Sequence, residues 1–199
     1  EISLGLVGSE MCIRDRNTVE QFQNALHQLL KQGAKGLVFD VREDGGGLVA
    51  ALEKIVDPLL PAGDIATATY QDGTTKVLVH SDANELNLPM MVLVNGNTAS
   101  AAELFTASLK DFGKAEVIGE QTFGKGIMQN TFELPDGGAV TLTVATYQTT
   151  KGECYHGVGI TPDVIMEEDY EKVDFDHPNP EQDAQLKQAM ELLQSKISS

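Results

Sequence analysis

Apolar positions along this chain alternate between two periods. Val19, Phe22, Leu26, Leu29 and Leu30 recur at helical spacing, with Asn17 and Glu20 as capping signals and Gly33 as a stop. Residues 36–42, 90–94 and 115–118 are short apolar runs that read as buried strands. Residues 48–60 read as a helix ending before Pro61, and residues 100–110 as a helix closed by Gly113. Alternation over 65–79 around Asp72-Gly73 predicts a β-hairpin, and 131–134 with 139–147 predicts strands around the turn at 135–138. Residues 149–156 read as a loop. Residues 167–180 are acidic and contain proline, as a linker or extended arm would. Residues 181–196 form a last helix, with Leu186, Met190, Leu193 and Ile197 on one face that covers the core or a partner. Strands alternating with helices imply an α/β domain.

Composition narrows the function classes. At 199 residues and 41% hydrophobic content, one globular domain with a substantial core is expected. A formal net charge of −16 argues against general nucleic-acid binding, because phosphates would be repelled. No apolar run is long enough to span a bilayer. Cys12 and Cys154 are too few for a disulfide framework or a zinc site. Residues 1–16 look foreign: Leu6 to Asp15 resembles the translation of a common sequencing adapter, so the leader is set apart from fold reasoning and Cys12 with it. On this reading the natural chain continues upstream.

The candidate chemistry lies between Met90 and Gln129. A serine, Ser100, opens a helix after one strand, and a lysine, Lys125, sits in a glycine-flanked loop after the next. Each has an ordinary reading. Ser100-x-x-Glu103 is a capping box, and a loop lysine is normally solvated. Gly119-x-x-x-x-Gly124-Lys125 approaches a phosphate-binding loop, but Gly126 stands where a Ser or Thr is needed and no helix signal follows. Taken together the two residues suggest nucleophilic catalysis. A serine hydroxyl needs an adjacent base, and a desolvated lysine can be one. The N–H groups at the head of a helix can hold a developing oxyanion. Cys154 and His156 sit two positions apart in a loop with no orienting acid and read as a lone thiol and a surface histidine. The 43–47 segment, Glu43-Asp44-Gly45-Gly46-Gly47, is a flexible turn after a strand, without a dinucleotide fingerprint; Asp40 and Arg42 beside it are expected to pair structurally.

Asn95-Gly96-Asn97-Thr98-Ala99-Ser100-Ala101-Ala102-Glu103 and Gly119-Glu120-Gln121-Thr122-Phe123-Gly124-Lys125-Gly126 resemble the two signature segments of the carboxyl-terminal processing peptidases, or tail-specific proteases. The interval of 25 positions between Ser100 and Lys125 also agrees. The resemblance runs from about Thr18 to Asp163 and implies Ser100 as nucleophile, Lys125 as base and Gln129 as the residue that assists the lysine. It implies an oxyanion hole from the backbone N–H groups of Gly46 and Ala101. Here Gly45 replaces the family's usual proline and Asp44 its usual asparagine, which leaves Gly46 and Gly47 as alternative donors.

The same resemblance implies a ββα-superhelix core of the crotonase and Clp-protease type over residues 17–166, followed by the acidic linker and C-terminal helix at 167–199. Residues 157–163 match the segment that closes such a core. It implies no metal, nucleotide or other cofactor. The expected substrates are proteins or peptides with exposed, flexible, rather apolar C-terminal tails, met outside the cytoplasm in the periplasm or cell envelope. Family members generally carry a peptide-binding PDZ domain, and no such insertion fits between Asn17 and Gly36, so an upstream PDZ domain is expected either to be missing from this chain or never to have existed. A homo-oligomer is left open. Two rivals stand beside the peptidase: an inactive peptide-binding relative, and an acyl-CoA enzyme on a similar fold, for which no thioester-binding motif is found.

Overall fold

The computed structural model describes residues 17–82 and 85–198. The expectation about the leader, residues 1–16, lies outside the described residues. Helix α1 spans Asn17–Lys31 and strand β1 Leu37–Asp40; helix α2, Val49–Val56, runs into a 3-10 turn at Asp57–Leu59. Strands β2 (Gly63–Tyr70) and β3 (Thr75–Ser81) form the expected hairpin. Strand β4 (Met90–Val94), helix α3 (Ala101–Asp111) and strand β5 (Ala115–Gly119) follow. Strands β6 (Ile127–Glu133) and β7 (Ala139–Thr149) make a second hairpin, β8 is a short strand at Val164–Ile165, and helix α4 spans Ala184–Ser198. The pattern of apolar residues missed β8 and started β6 too late. A strand of two residues leaves no period to read, and β6 is exposed along most of its length, so apolar alternation is weak there.

Two four-stranded sheets result. The first, in the order β1-β4-β5-β8, is parallel throughout; the second, β3-β2-β7-β6, is antiparallel. Both faces of the parallel sheet are covered, which is why β4 is a continuous apolar run buried at all five positions. Met90, Val92 and Val94 point into the main core with helices α1 to α3 and the inner side of the antiparallel sheet. Met91 and Leu93 point the other way, onto Leu186, Ala189 and Leu193 of α4. The last helix therefore covers this chain's own core. An aromatic row fixes the helix that carries Ser100: Phe22 lies 6.3 Å from Phe39, and Phe39 meets Phe105 edge-on at 5.3 Å.

The segment before α4 is tied down by one buried cation. Arg42, just past β1, binds Asp40 at 2.5 Å and Asp183 at 2.6 Å and donates to Gln185 Oε1 at 3.1 Å. Its guanidinium also stacks over Phe175, 5.1 Å from the ring centre. Burial opposes its charge, but the hydrogen bonds to Asp40 and Asp183 outweigh that and hold its pKa above the ordinary value. The Asp40–Arg42 pair is thus structural, and Asp183 extends it to the C-terminal segment. Arg42→Ala would leave the Asp183 carboxylate, 2% exposed, without its cation. We expect a loss of about 3 kcal/mol or more, read as a fall in Tm of roughly 10 °C by thermal denaturation. A fall below about 2 °C would remove Arg42 from this role.

Candidate active site

Three loops meet at the carboxyl edge of the parallel sheet, where open α/β sheets characteristically bind ligands. The 43–47 turn leaves β1, the 95–100 turn leaves β4, and the loop carrying Lys125 leaves β5. The first two are stitched together by short hydrogen bonds. Glu43 accepts from the side-chain amides of Asn95 at 2.6 Å and Asn97 at 2.9 Å, and its own N–H donates to Asn95 Oδ1. The Ala99 N–H donates to the Asp44 carbonyl, and the buried Thr98 hydroxyl to the Val41 carbonyl at 2.8 Å. In the 95–100 turn, therefore, every polar residue read as turn chemistry has a partner.

Ser100 stands at the N-cap of α3 with φ 58° and ψ −119°. A positive φ is costly for a residue with a side chain, and such strain concentrates at functional positions. The neighbouring turn is held against it by shape. Gly46 has φ +83°, and a Cβ placed there would lie 2.5 Å from the Ala101 nitrogen and 2.9 Å from Ser100 Cβ. Only glycine permits this approach. The structure thus brings Gly46 beside Ala101, whose N–H opens the helix and has no acceptor within it. In this conformation the Gly46 N–H donates to Asp44 Oδ1 at 2.8 Å. An aspartate two residues before an N–H readily forms such a turn.

The junction of the site is Glu103, fully buried in the first turn of α3. Its carboxylate accepts four hydrogen bonds. Oε2 takes the N–H of Ser100 at 2.9 Å and of Lys125 at 2.8 Å; Oε1 takes the Thr122 hydroxyl at 2.6 Å and the Gly124 N–H at 2.7 Å. One side chain thus holds the backbone of the serine and the backbone of the lysine. The capping-box reading captured only its bond to Ser100. Nothing local could show that the same carboxylate spans 22 residues to the lysine loop.

Ser100 and Lys125 are both half-buried, and Gln129 is exposed on β6. Among the described residues, no hydrogen bond joins Ser100 Oγ to Lys125 Nζ or Gln129 to Lys125, and Lys125 forms no ion pair. Catalytic hydrogen bonds are often long before substrate binds. Tyr147, read from sequence only as part of a strand, also enters the site: its hydroxyl donates to the Lys125 carbonyl at 2.8 Å and lies 3.4 Å from Ser100 Oγ. Tyr155 meets its ring edge-on at 6.1 Å. Burial raises the pKa of both phenols, so both stay protonated at neutral pH. Cys154 is a free, exposed thiol, and His156 Nδ1 faces the Gly124 carbonyl at 3.2 Å, so the two form no dyad. A separate cleft of about 440 Å³ lies at the amino ends of β4 and β5, and its lysines, Lys110, Lys114 and Lys196, are each paired with a carboxylate.

Two outcomes follow for stability. Glu103→Gln keeps the volume but sets an amide N–H2 against N–H donors, so we expect a loss of about 2 kcal/mol or more and faster amide exchange at Ser100 and Lys125. Unchanged exchange at both would separate Glu103 from the junction. For the buried tyrosines, the folded pKa lies above the unfolded value of 10.0. The unfolded chain then releases protons first, so stability is full below about pH 9 and falls through pH 10 and above. Urea midpoints measured against pH check this, and Tyr155→Phe should flatten the decline.

Residues 7–166 match the model of peptidase family S41. A carboxyl-terminal-processing protease of Synechocystis sp. is 37% identical over 177 residues, covering 89% of this chain and 41% of that relative. A chloroplastic C-terminal processing peptidase of Tetradesmus obliquus is 39% identical over 153 residues, 76% of this chain and 33% of the relative. Among solved structures, a photosystem II D1 C-terminal processing protease superposes with a TM-score of 0.73 at 38% identity, over 81% of this chain and 42% of that one. The chain spans about two fifths or less of the length of these proteins. With a family match over most of its residues and a mixed α/β fold shared with a solved relative at that identity, the chain belongs to peptidase family S41.

Proposed function

We propose that this chain carries the catalytic core of a serine endopeptidase that cuts proteins near flexible, apolar C-terminal tails. Ser100 Oγ attacks the scissile carbonyl carbon while neutral Lys125 takes its proton. Lysine then returns that proton to the leaving amine, the amide C–N bond breaks, and an ester to Ser100 remains. Water, deprotonated by the same lysine, releases the acid and restores Ser100. Gln129 assists by orienting Lys125 once substrate covers the site. The oxyanion is met by the Ala101 N–H and by a glycine N–H from 46–47; Gly46 serves once Asp44 lets go of it. No metal or other cofactor enters these steps. The observation that carries the reading is the single Glu103 carboxylate holding Ser100 and Lys125 by their backbones at 2.9 and 2.8 Å. It supports a pair of segments built to keep fixed relative positions.

The finer architecture is read as a ββα-superhelix over residues 17–166 with the acidic segment and α4 appended at 167–199. In the longer protein, a PDZ domain would present the tail, and the enzyme would act outside the cytoplasm, in the periplasm or cell envelope. A homo-oligomer is compatible with this arrangement. The second reading is an inactive, peptide-binding relative. Two features favour it: the Gly46 N–H is engaged by Asp44, and Ser100 and Lys125 share no side-chain hydrogen bond.

The deciding experiment is cleavage of a tail-bearing protein substrate by Ser100→Ala, Lys125→Ala and Gln129→Ala variants, with fluorophosphonate labelling of Ser100. We expect the first two to lose at least about 10³-fold in kcat and Gln129→Ala about 10-fold. Undiminished cleavage by either dyad variant sinks the mechanism. A wild-type chain that binds the tail but neither cuts it nor takes the label establishes the inactive relative.

A further inference from the structure

Tyr147 belongs to neither signature segment, yet it is held in the site at four points. It is 3% exposed, in the buried half of β7. Its backbone is paired to Ala68 of β2 and its N–H donates to the Gly126 carbonyl at 3.0 Å. Its ring packs edge-on against Tyr155. Its hydroxyl donates to the Lys125 carbonyl at 2.8 Å and lies 3.4 Å from Ser100 Oγ. A phenol has one proton to give. The shorter contact places it on the Lys125 carbonyl, with Ser100 Oγ as the more distant acceptor of the same hydroxyl.

We propose that Tyr147 is a positioning residue for the Ser100–Lys125 reaction, holding the backbone carbonyl of the base beside the nucleophile while Glu103 holds its N–H. This rests on the serine–lysine reading above. Glu103 grips the Lys125 N–H and Tyr147 the Lys125 carbonyl, so the two together clamp both polar groups of that residue's backbone. The rigid ring transmits the position of a sheet strand to a loop. Without the hydroxyl, the Lys125 carbonyl loses a partner in a half-buried place and the loop gains freedom, while the surfaces that would hold a peptide are unchanged. The signature is a loss confined to turnover.

The test compares Tyr147→Phe with Tyr155→Phe, Ser100→Ala and Lys125→Ala on one tail-bearing substrate, together with the rate of fluorophosphonate labelling. Phenylalanine keeps the ring and its packing, so the fold should survive, and Tm is measured for each variant. We expect Tyr147→Phe to lower kcat and the labelling rate by about 10-fold to 100-fold, with KM within about twofold. Tyr155→Phe, which keeps the ring packed on Tyr147 and whose hydroxyl makes no hydrogen bond with Ser100 or Lys125, should lose less kcat than Tyr147→Phe. Incorporation of 3-fluorotyrosine at 147, which retains the hydroxyl and does not depend on Phe being tolerated, should keep kcat within about threefold of wild type. The inference is overturned if Tyr147→Phe retains more than half of kcat, if its loss appears in KM alone, or if both phenylalanine variants lose activity equally. If Ser100→Ala or Lys125→Ala cleaves as well as wild type, the dyad itself is wrong; if both are dead and Tyr147→Phe is unimpaired, only the tyrosine's role fails.

Discussion

The site is organised around a buried carboxylate with no cation in contact among the described residues. Glu103 is fully enclosed, and an isolated carboxylate there would be very costly to desolvate. Four hydrogen bonds and the head of α3 replace the lost water. Its donors come from three places in the chain: the start of α3, Thr122, and the backbone at 124–125. Because an unsatisfied buried charge costs more than any single contact gains, each of the four donors is held in place. The carboxylate thereby fixes the loop of Lys125 relative to Ser100, and it does so through backbone.

Around this junction, rigid elements absorb local strain. Ser100 adopts a positive φ that a side chain disfavours, and the cost is carried by β4 and α3, both buried and packed on the aromatic row of Phe22, Phe39 and Phe105. The 43–47 turn approaches so closely that one methyl at Gly46 would collide with the Ala101 nitrogen. Tyr147 closes the arrangement from the second sheet. The parallel sheet therefore supplies the strand ends, and the antiparallel sheet supplies the lateral support for the loop that carries the lysine.

The acidic C-terminal segment is integrated by the same physics at the opposite sign. Arg42 gathers Asp40, Asp183, Gln185 and Phe175, and α4 then seals the rear face of the parallel sheet through Leu186, Ala189 and Leu193. In a chain with a net charge of −16, a buried guanidinium shared by two carboxylates anchors this segment where further acidic side chains would repel one another.

The apolar periods carried most of the elements. β4 announced itself as a buried run, the Asp72-Gly73 turn placed its hairpin, and the stripe of Leu186, Met190, Leu193 and Ile197 marked α4. The elements are local features, so composition and spacing suffice to specify them; Ser100 and Lys125 were singled out by two segments that resemble a family's signatures at its interval of 25. Whether α4 covers a partner or its own sheet, that Glu103 reaches Lys125 as well as Ser100, that Asp44 holds the Gly46 N–H, and that Tyr147 lies beside the serine were decided only by tertiary structure. Each is a meeting of groups far apart in the chain or a choice between acceptors, and a linear pattern constrains a residue's own conformation but not which distant group satisfies its hydrogen bonds.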